Sequence, residues 1–254
     1  MKTLLRLLYR FVYFWVKLIF PKYTVEGKEN LPEESCIVVG NHCQLHGPVS
    51  CELYFPDEKA IWTACEMFEL KKVPPYAFQD FWSDHPKWTH WFYKILSYLI
   101  APLSVLIFNH AHTIPVYRGQ KIMNTMKTTV NRMEEGANIV IFPEHDEPYS
   151  HVLQSFQEGF VDVARLYYRR TGKAVWFVPM YICPKFRKLY ILEPIRFDPT
   201  APIQEERKRI CSYLMETITN HASSLPWHPM ICYRKSLNTY NRPLEETPNE
   251  ETGR

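Results

Sequence analysis

Short apolar runs alternate with helical patterns along most of this chain, and the alternation predicts its fold. Mostly apolar runs, typical of strands buried on both faces, lie at 36–40, 138–142 and 175–181. Apolar residues recur at helical spacing over 121–135 and 203–222. Buried strands that alternate with helices predict an α/β fold in which a mostly parallel central sheet is flanked by helices.

Shorter patterns complete the predicted sheet and its helices. Further strands are predicted at 23–27, 60–65, 113–117 and 188–192, and further helices at 48–54 and 160–169. We expect three parts: an amphipathic helix over 1–21, one α/β domain over 22–242, and a disordered acidic tail over 243–254.

The N-terminal segment has the pattern of a helix that lies on a membrane. At helical spacing its polar residues form one narrow stripe, and almost all other positions are apolar; the stripe is Lys2, Arg6, Arg10, Tyr13 and Lys17. No small-residue cleavage site follows, so a signal peptide is not predicted. We expect this helix to lie in the headgroup plane, because basic and aromatic residues together favour an anionic lipid surface. The alternative is a helix packed on the domain with its basic stripe in water.

A second long apolar stretch runs from Trp91 to Phe108 and contains Pro102. Its length approaches that of a membrane span, but Lys94 and the proline favour a kinked pair of helices. Such a pair would enter the membrane interface or line an acyl pocket. A buried core helix is the alternative.

Composition narrows the class of protein. The chain has 254 residues, a formal net charge of +3 and 15% aromatic residues. The small net charge argues against a nucleic-acid-binding protein. The seven cysteines are scattered and form no CxxC pair, which favours a reducing intracellular compartment over a disulfide framework or a structural zinc site.

Candidate chemistry is concentrated where predicted strands end. Asn41 and His42 follow the strand at 36–40, and His46 lies four residues later. The carboxyl edge of an open α/β sheet is where ligands bind, so His42 is placed to act as a general base. The spacing of His42 and His46 would suit a metal only on a helix, whereas the preceding strand and the following Gly-Pro favour a loop. No metal site is therefore expected.

Four blocks of sequence, in this order, resemble the glycerolipid acyltransferase family that includes lysophosphatidic acid acyltransferases. The family has an N-H-x4-D loop, a strand ending in Arg, an F-P-E-G turn and a V-P strand. The matching residues here are Asn41-His42, Arg118 after a predicted strand, Phe142-Pro143-Glu144, and Val178-Pro179. The resemblance covers about residues 23–192.

The resemblance implies an O-acyltransferase of phospholipid biosynthesis that moves a fatty acyl group from acyl-CoA or acyl-carrier protein to a lysophospholipid or glycerol-phosphate hydroxyl. His42 would be the base, with no covalent intermediate and no cofactor. Arg118 would bind the acceptor phosphate, because guanidinium groups bind phosphate in a bidentate manner. Glu144 would bind the glycerol phosphate or order the site. The protein would be peripheral or monotopic on the cytoplasmic face of the cell membrane.

Each of these two charged residues also has a simpler interpretation. Arg118 would otherwise form an ordinary surface ion pair, and Glu144 would be a turn carboxylate in water.

The chain departs from the family pattern at two positions. Gly47 occupies the position of the motif aspartate, which would orient the His42 ring, and His145 replaces the glycine of F-P-E-G. Asp146 is the first candidate to supply the missing carboxylate, ahead of Glu144 or a polar relay through His46. His145 is expected to reshape the acceptor pocket. Gly47 keeps open the alternative of a catalytically weak lipid-binding relative. A third interpretation is a metal-assisted lipid hydrolase that uses the histidine cluster.

Overall fold

In the computed structural model, which describes residues 2–232 and 240–243, the predicted α/β fold is confirmed. Most of the predicted acidic tail, residues 244–254, lies outside the described residues. The helices within them are α1 (Lys2–Ile19), α2 (His46–Tyr54), α3 (Val73–Ala77), α4 (His90–Phe108), α5 (Ile122–Glu134), α6 (Asp162–Thr171) and α7 (Ile203–Ser224). The strands are β1 (Thr24–Glu26), β2 (Ile37–Gly40), β3 (Lys59–Ala64), β4 (Thr113–Val116), β5 (Asn138–Ile141), β6 (Glu144–Pro148), β7 (Gln154–Phe156), β8 (Trp176–Cys183), β9 (Lys188–Ile191) and β10 (Ile195–Arg196).

The chain divides into two compact units. The first comprises Met1–Pro21 and Ala60–Thr128, and the second comprises Lys22–Lys59 and Thr129–Arg254. The division falls at the start of β3 and within α5. The predicted domain boundaries after residues 21 and 242 stay predictions.

The second unit contains a mainly parallel sheet with strand order β1-β9-β8-β2-β5. β2 lies between β5 and β8 and is parallel to both, whereas β9 and β10 run antiparallel to β8. Val38 pairs with Val140 on one side and Val178 on the other, and all three are fully buried. These buried apolar strands explain the mostly apolar runs of the sequence. Because β2, β5 and β8 are parallel, their carboxyl ends lie at one edge of the sheet.

The first unit contains the parallel strands β3 and β4 and the helices α1, α3 and α4. The predicted pair of helices at 91–108 is wrong, because α4 is one continuous helix that contains Pro102. A proline within a helix removes one hydrogen bond, here the bond to the carbonyl of Tyr98, and the helix continues on both sides. Ala101 on α4 packs with Val73 and Ala77 of α3.

A two-stranded antiparallel hairpin, β6 with β7, follows β5 and was missed by the pattern of the sequence. The sequence of β6, Glu-His-Asp-Glu-Pro, is polar and resembles a loop. Pairing with β7, in which Gln154 and Phe156 are buried, makes it a strand. The hairpin fixes the residues that follow Pro143.

Candidate active site

His42 lies two residues after the end of β2, at the carboxyl edge of the sheet in the second unit. Its ring packs edge-on against the ring of Phe142, with 5.3 Å between the centroids. Burial lowers the pKa of His42 to about 4, and hydrogen bonds with the backbone of Gln44 and of His42 itself offset part of this effect. The imidazole is therefore neutral at pH 7, which is the form that accepts a proton.

Glu144 holds the backbone of the His42 loop from the neighbouring strand end. Its carboxylate is buried and accepts hydrogen bonds from the backbone N–H of His42 (2.7 Å) and that of Gln154 (3.1 Å). Burial raises the pKa of Glu144 to about 7, and the two hydrogen bonds oppose that rise. The structure thus links Glu144 to His42 through the main chain, and the carboxylate is not in open water.

Asn41 ties the same loop to β8, a role that sequence reasoning missed. Its buried side chain accepts a hydrogen bond from the N–H of Ile182 (2.7 Å) and donates one to the carbonyl of Ile182 (3.1 Å). A second donation from Asn41 reaches the Sγ of Cys43 at 2.9 Å. The only available signal was its position directly before His42. Asn41 is bonded to β8, and Glu144, the first residue of β6, is bonded to the N–H of His42. Contacts with these two strands therefore fix the position of His42.

The loop turns through two residues with left-handed backbone conformations. Cys43 and Gln44 have φ angles of 46° and 54°. This conformation costs about 1–2 kcal/mol for each non-glycine residue. The turn allows the N–H of Gly47 to donate to the carbonyl of His42 at 3.2 Å.

This turn leaves no space for a side chain at position 47. A Cβ atom added to Gly47 would lie 2.2 Å from the carbonyl oxygen of His42. The aspartate of the N-H-x4-D pattern therefore does not fit this loop unless the His42 peptide moves. A carboxylate that orients the His42 ring in this conformation has to come from another part of the chain.

His46, the second histidine of the loop, is the first residue of α2. Its Nδ1 lies 3.0 Å from the hydroxyl of Tyr23, which is itself buried. Burial lowers the pKa of His46 below its ordinary value. His46 is thus anchored to the residue before β1.

His145 and Asp146 follow Glu144 on β6. His145 is half-buried and Asp146 is exposed. The predicted roles of Asp146 as the partner of His42, and of His145 in shaping the acceptor pocket, stay predictions.

Arg118 lies in the first unit, two residues after the end of β4, and its side chain is exposed. Within the described residues it forms no ion pair with a carboxylate, so the surface ion pair considered from the sequence is not formed. The strand end beside it is held by Thr125, whose hydroxyl donates to Pro115 and accepts from the N–H of Tyr117, both at 2.9 Å. A free guanidinium at a fixed strand end is available to an anion.

Comparisons with known proteins give a partial family match and a similar fold. The acyltransferase family model matches residues 81–184, a range that contains Arg118, the F-P-E block and the V-P block but not His42. No curated protein matches the sequence.

One solved structure of similar fold is the 1-acyl-sn-glycerophosphate (LPA) acyltransferase PlsC from Thermotoga maritima. The match has a TM-score of 0.50 and 15% sequence identity, and it covers 88% of this chain and 80% of that chain. At this identity the likeness concerns the fold. The family match and the fold both agree with the resemblance found in the sequence.

Proposed function

We propose that this chain, an acyltransferase-like protein by its family match and its fold, moves a fatty acyl group from acyl-CoA or acyl-carrier protein to a glycerolipid hydroxyl. The acceptor is a lysophospholipid or glycerol phosphate. The observation that carries the proposal is a neutral imidazole, His42, at the carboxyl edge of the sheet, with its backbone held by Glu144.

The proposed reaction needs one base and no covalent enzyme intermediate. The acceptor hydroxyl gives its proton to the neutral His42 ring as its oxygen attacks the thioester carbonyl. The new ester C–O bond forms and the C–S bond breaks. The proton on the imidazolium then passes to the leaving thiolate, so the enzyme returns to its starting form.

Other residues are proposed to bind the acceptor or support the base. Arg118 binds the phosphate, because its guanidinium is exposed and always charged. Glu144 orders the site, and His145 and His46 contribute to the acceptor pocket. Asp146 is proposed as the carboxylate that orients His42, since position 47 has no room for an aspartate side chain in this loop.

The first unit is proposed to bind the membrane surface from the cytoplasmic side. Among the described residues, one helical stretch, Lys87–Phe108, is long and apolar enough to cross a membrane. Its large side chains face solvent; Trp91 is 65% exposed and Leu99 is 70% exposed. Exposed apolar patches of this kind mark membrane or partner surfaces.

The N-terminal helix α1 supports the same proposal. It packs through a face that includes Tyr9 and Tyr13, and the ring of Tyr9 stacks on His110 at 5.9 Å. The opposite face exposes large apolar side chains: Leu4, Leu7, Leu8, Phe11, Phe14, Trp15, Leu18 and Ile19. Arg6, Arg10 and Lys17 are also exposed and are placed to meet anionic lipid headgroups.

A catalytically weak lipid-binding relative is the second candidate, and Gly47 is the observation that favours it. The two are separated by incubating the purified full chain, in detergent micelles, with lysophosphatidic acid and isotopically labelled acyl-CoA. Mass spectrometry then measures labelled diacyl product. The proposal expects many turnovers per protein molecule. Binding of lysophosphatidic acid without product, across several acyl-CoA and acyl-carrier-protein donors, would establish the weak relative instead. Elemental analysis of the same sample tests the metal-assisted hydrolase.

A further inference from the structure

Two described segments that follow α7, residues 226–232 and 240–243, pack beside the sheet, and we define them together as the strap. His228 is its buried anchor: Nδ1 lies 2.7 Å from the carbonyl of Pro226, and Nε2 lies 3.0 Å from the hydroxyl of Tyr181. Since a carbonyl only accepts, Nδ1 carries the proton and Nε2 accepts from Tyr181. The backbone N–H of His228 donates to Oδ1 of Asn241 at 2.9 Å.

The second half of the strap is held equally firmly. Asn241 is fully buried, and its side-chain amide donates to the carbonyls of Ala222 (2.7 Å) and Leu225 (3.2 Å). Arg242 donates to the carbonyls of Ser223 (2.7 Å) and Leu225 (2.9 Å). These carbonyls lie at the C-terminal end of α7, where a helix leaves its last acceptors unpaired. These hydrogen bonds hold the strap against the C-terminal end of α7.

The strap is linked to the His42 loop by one direct contact and by one indirect path through β8. The side-chain amide of Gln44 donates to the carbonyl of Cys232 at 3.3 Å. The indirect path runs from His228 to Tyr181, which directly precedes Ile182, whose backbone holds Asn41. Burial, and secondly the charge of Glu144, raise the pKa of the Cys232 thiol to about 11. Cys232 therefore lies within electrostatic reach of the carboxylate that holds His42.

We propose that the strap is a positioning element for the His42 loop and that Gln44 and His228 are its positioning residues. The loop needs such support, because Cys43 and Gln44 adopt left-handed conformations that are costly for residues other than glycine. The contact from Gln44 to Cys232 favours the conformation in which the Gly47 N–H reaches the His42 carbonyl. This inference rests on the proposed function, since it concerns the residue proposed as the base.

The test uses the full chain with Gln44→Asn. Asparagine tolerates the left-handed conformation but is too short to reach Cys232, so the backbone is retained and the contact is lost. Hydrogen exchange measured by mass spectrometry reports the amides of residues 41–47, of which His42, His46 and Gly47 are hydrogen-bonded. We expect exchange there to rise about two- to tenfold, the range for loss of one hydrogen bond, with Tm lowered by no more than a few degrees. The matched control is Gln204→Asn, an exposed glutamine on α7, which should leave exchange at 41–47 unaltered.

Kinetics separate positioning from a purely structural role. In Gln44→Asn, kcat should fall severalfold while KM for the acceptor stays unchanged, and His228→Phe should produce a larger change in the same direction. Unchanged exchange in Gln44→Asn, or faster exchange with an unchanged kcat, would overturn the proposal. Absence of any acyl transfer in the wild type would refute the proposed function instead, and the exchange data would still decide whether the strap holds the loop.

Discussion

The His42 loop in the second unit and the exposed faces of α1 and α4 in the first unit are built from opposite kinds of contact. The loop is held by buried polar contacts, in which Asn41 and Glu144 each bond main-chain groups of a neighbouring segment. The two helices instead present apolar side chains such as Phe11 and Leu99 to solvent. The loop holds the His42 imidazole in one position, whereas the two helices provide exposed apolar surface.

The difference shows what each region needs for its proposed task. General base catalysis needs an imidazole within hydrogen-bond reach of one hydroxyl, so single contacts matter. Membrane binding depends on total buried area and charge, so the contribution of each side chain is small and additive. We therefore expect single substitutions to have large effects in the loop and graded effects on the helices.

The largest effect is expected for His42→Ala. Removal of the general base should lower kcat for acyl transfer by about 10²–10⁴-fold, which is the usual contribution of general acid–base catalysis. Initial rates of labelled product formation measure this loss. His85→Ala, an exposed histidine of the first unit, is the control and should retain the wild-type rate. Equal rates for both variants would remove His42 from the reaction.

Asp146→Asn tests whether this carboxylate replaces the motif aspartate. We expect kcat to fall by at least about tenfold and at most about 10⁴-fold, the loss known for the equivalent carboxylate of a catalytic triad. The control is Glu147→Gln, which changes the neighbouring exposed carboxylate of β6. If both variants keep the wild-type kcat, then the backbone contacts from Glu144 and Asn41 position His42 without a carboxylate partner.

The pH dependence of stability should reveal two opposing contributions within the loop. The pKa of Glu144 is raised to about 7, so its contribution to stability is present below about pH 4.5 and is lost as the pH rises through 7. The pKa of His42 is lowered to about 4, so its contribution is present above about pH 6.5 and is lost as the pH falls through 4.

Single variants should expose each of these contributions. Relative to wild type, the free energy of unfolding of His42→Gln should fall between pH 4.5 and 7, and that of Glu144→Gln should rise, each by about 3 kcal/mol. Urea melts at the two pH values measure both slopes. Parallel slopes in all three proteins would contradict the pKa values given for this loop.

The smallest effect per residue is expected on α4. Leu99→Glu, at a position 70% exposed, should weaken binding to vesicles that contain anionic lipid by about tenfold, through loss of one inserted apolar side chain. Trp91→Glu alone should weaken vesicle binding by a similar factor. The control is Tyr168→Glu, a partly exposed aromatic residue of α6 in the second unit. Vesicle sedimentation in which all three variants bind as wild type does would remove α4 from the proposed membrane surface.

The sequence predicted the elements of this fold better than the contacts of its candidate site. Strands such as β2 and β5 can be recognised in the sequence, because strands buried on both faces require apolar side chains at every position. The hairpin of β6 and β7 could not be recognised in this way, since the polar residues of β6 form a strand only by pairing with β7. A pair of helices was expected at 91–108, but α4 is continuous, because the loss of one hydrogen bond at Pro102 does not end a helix.

Within the site, the position of His42 followed from the strand before it, but the reason for Gly47 did not. That reason depends on the left-handed turn at Cys43 and Gln44, which brings the His42 carbonyl against position 47. Glu144 was expected to bind substrate or order the site, and its two main-chain partners are visible only once β5 lies beside β2. Long-range backbone contacts of this kind leave no local pattern in a sequence.

Burial keeps the His42 ring neutral at pH 7, which is the form that accepts a proton. NMR titration of histidine ring signals in the purified full chain, with His42 assigned by its loss in His42→Gln, measures this directly. We expect a pKa of about 4 for His42. A titration of His42 near pH 6.5, the ordinary value for histidine, would contradict it.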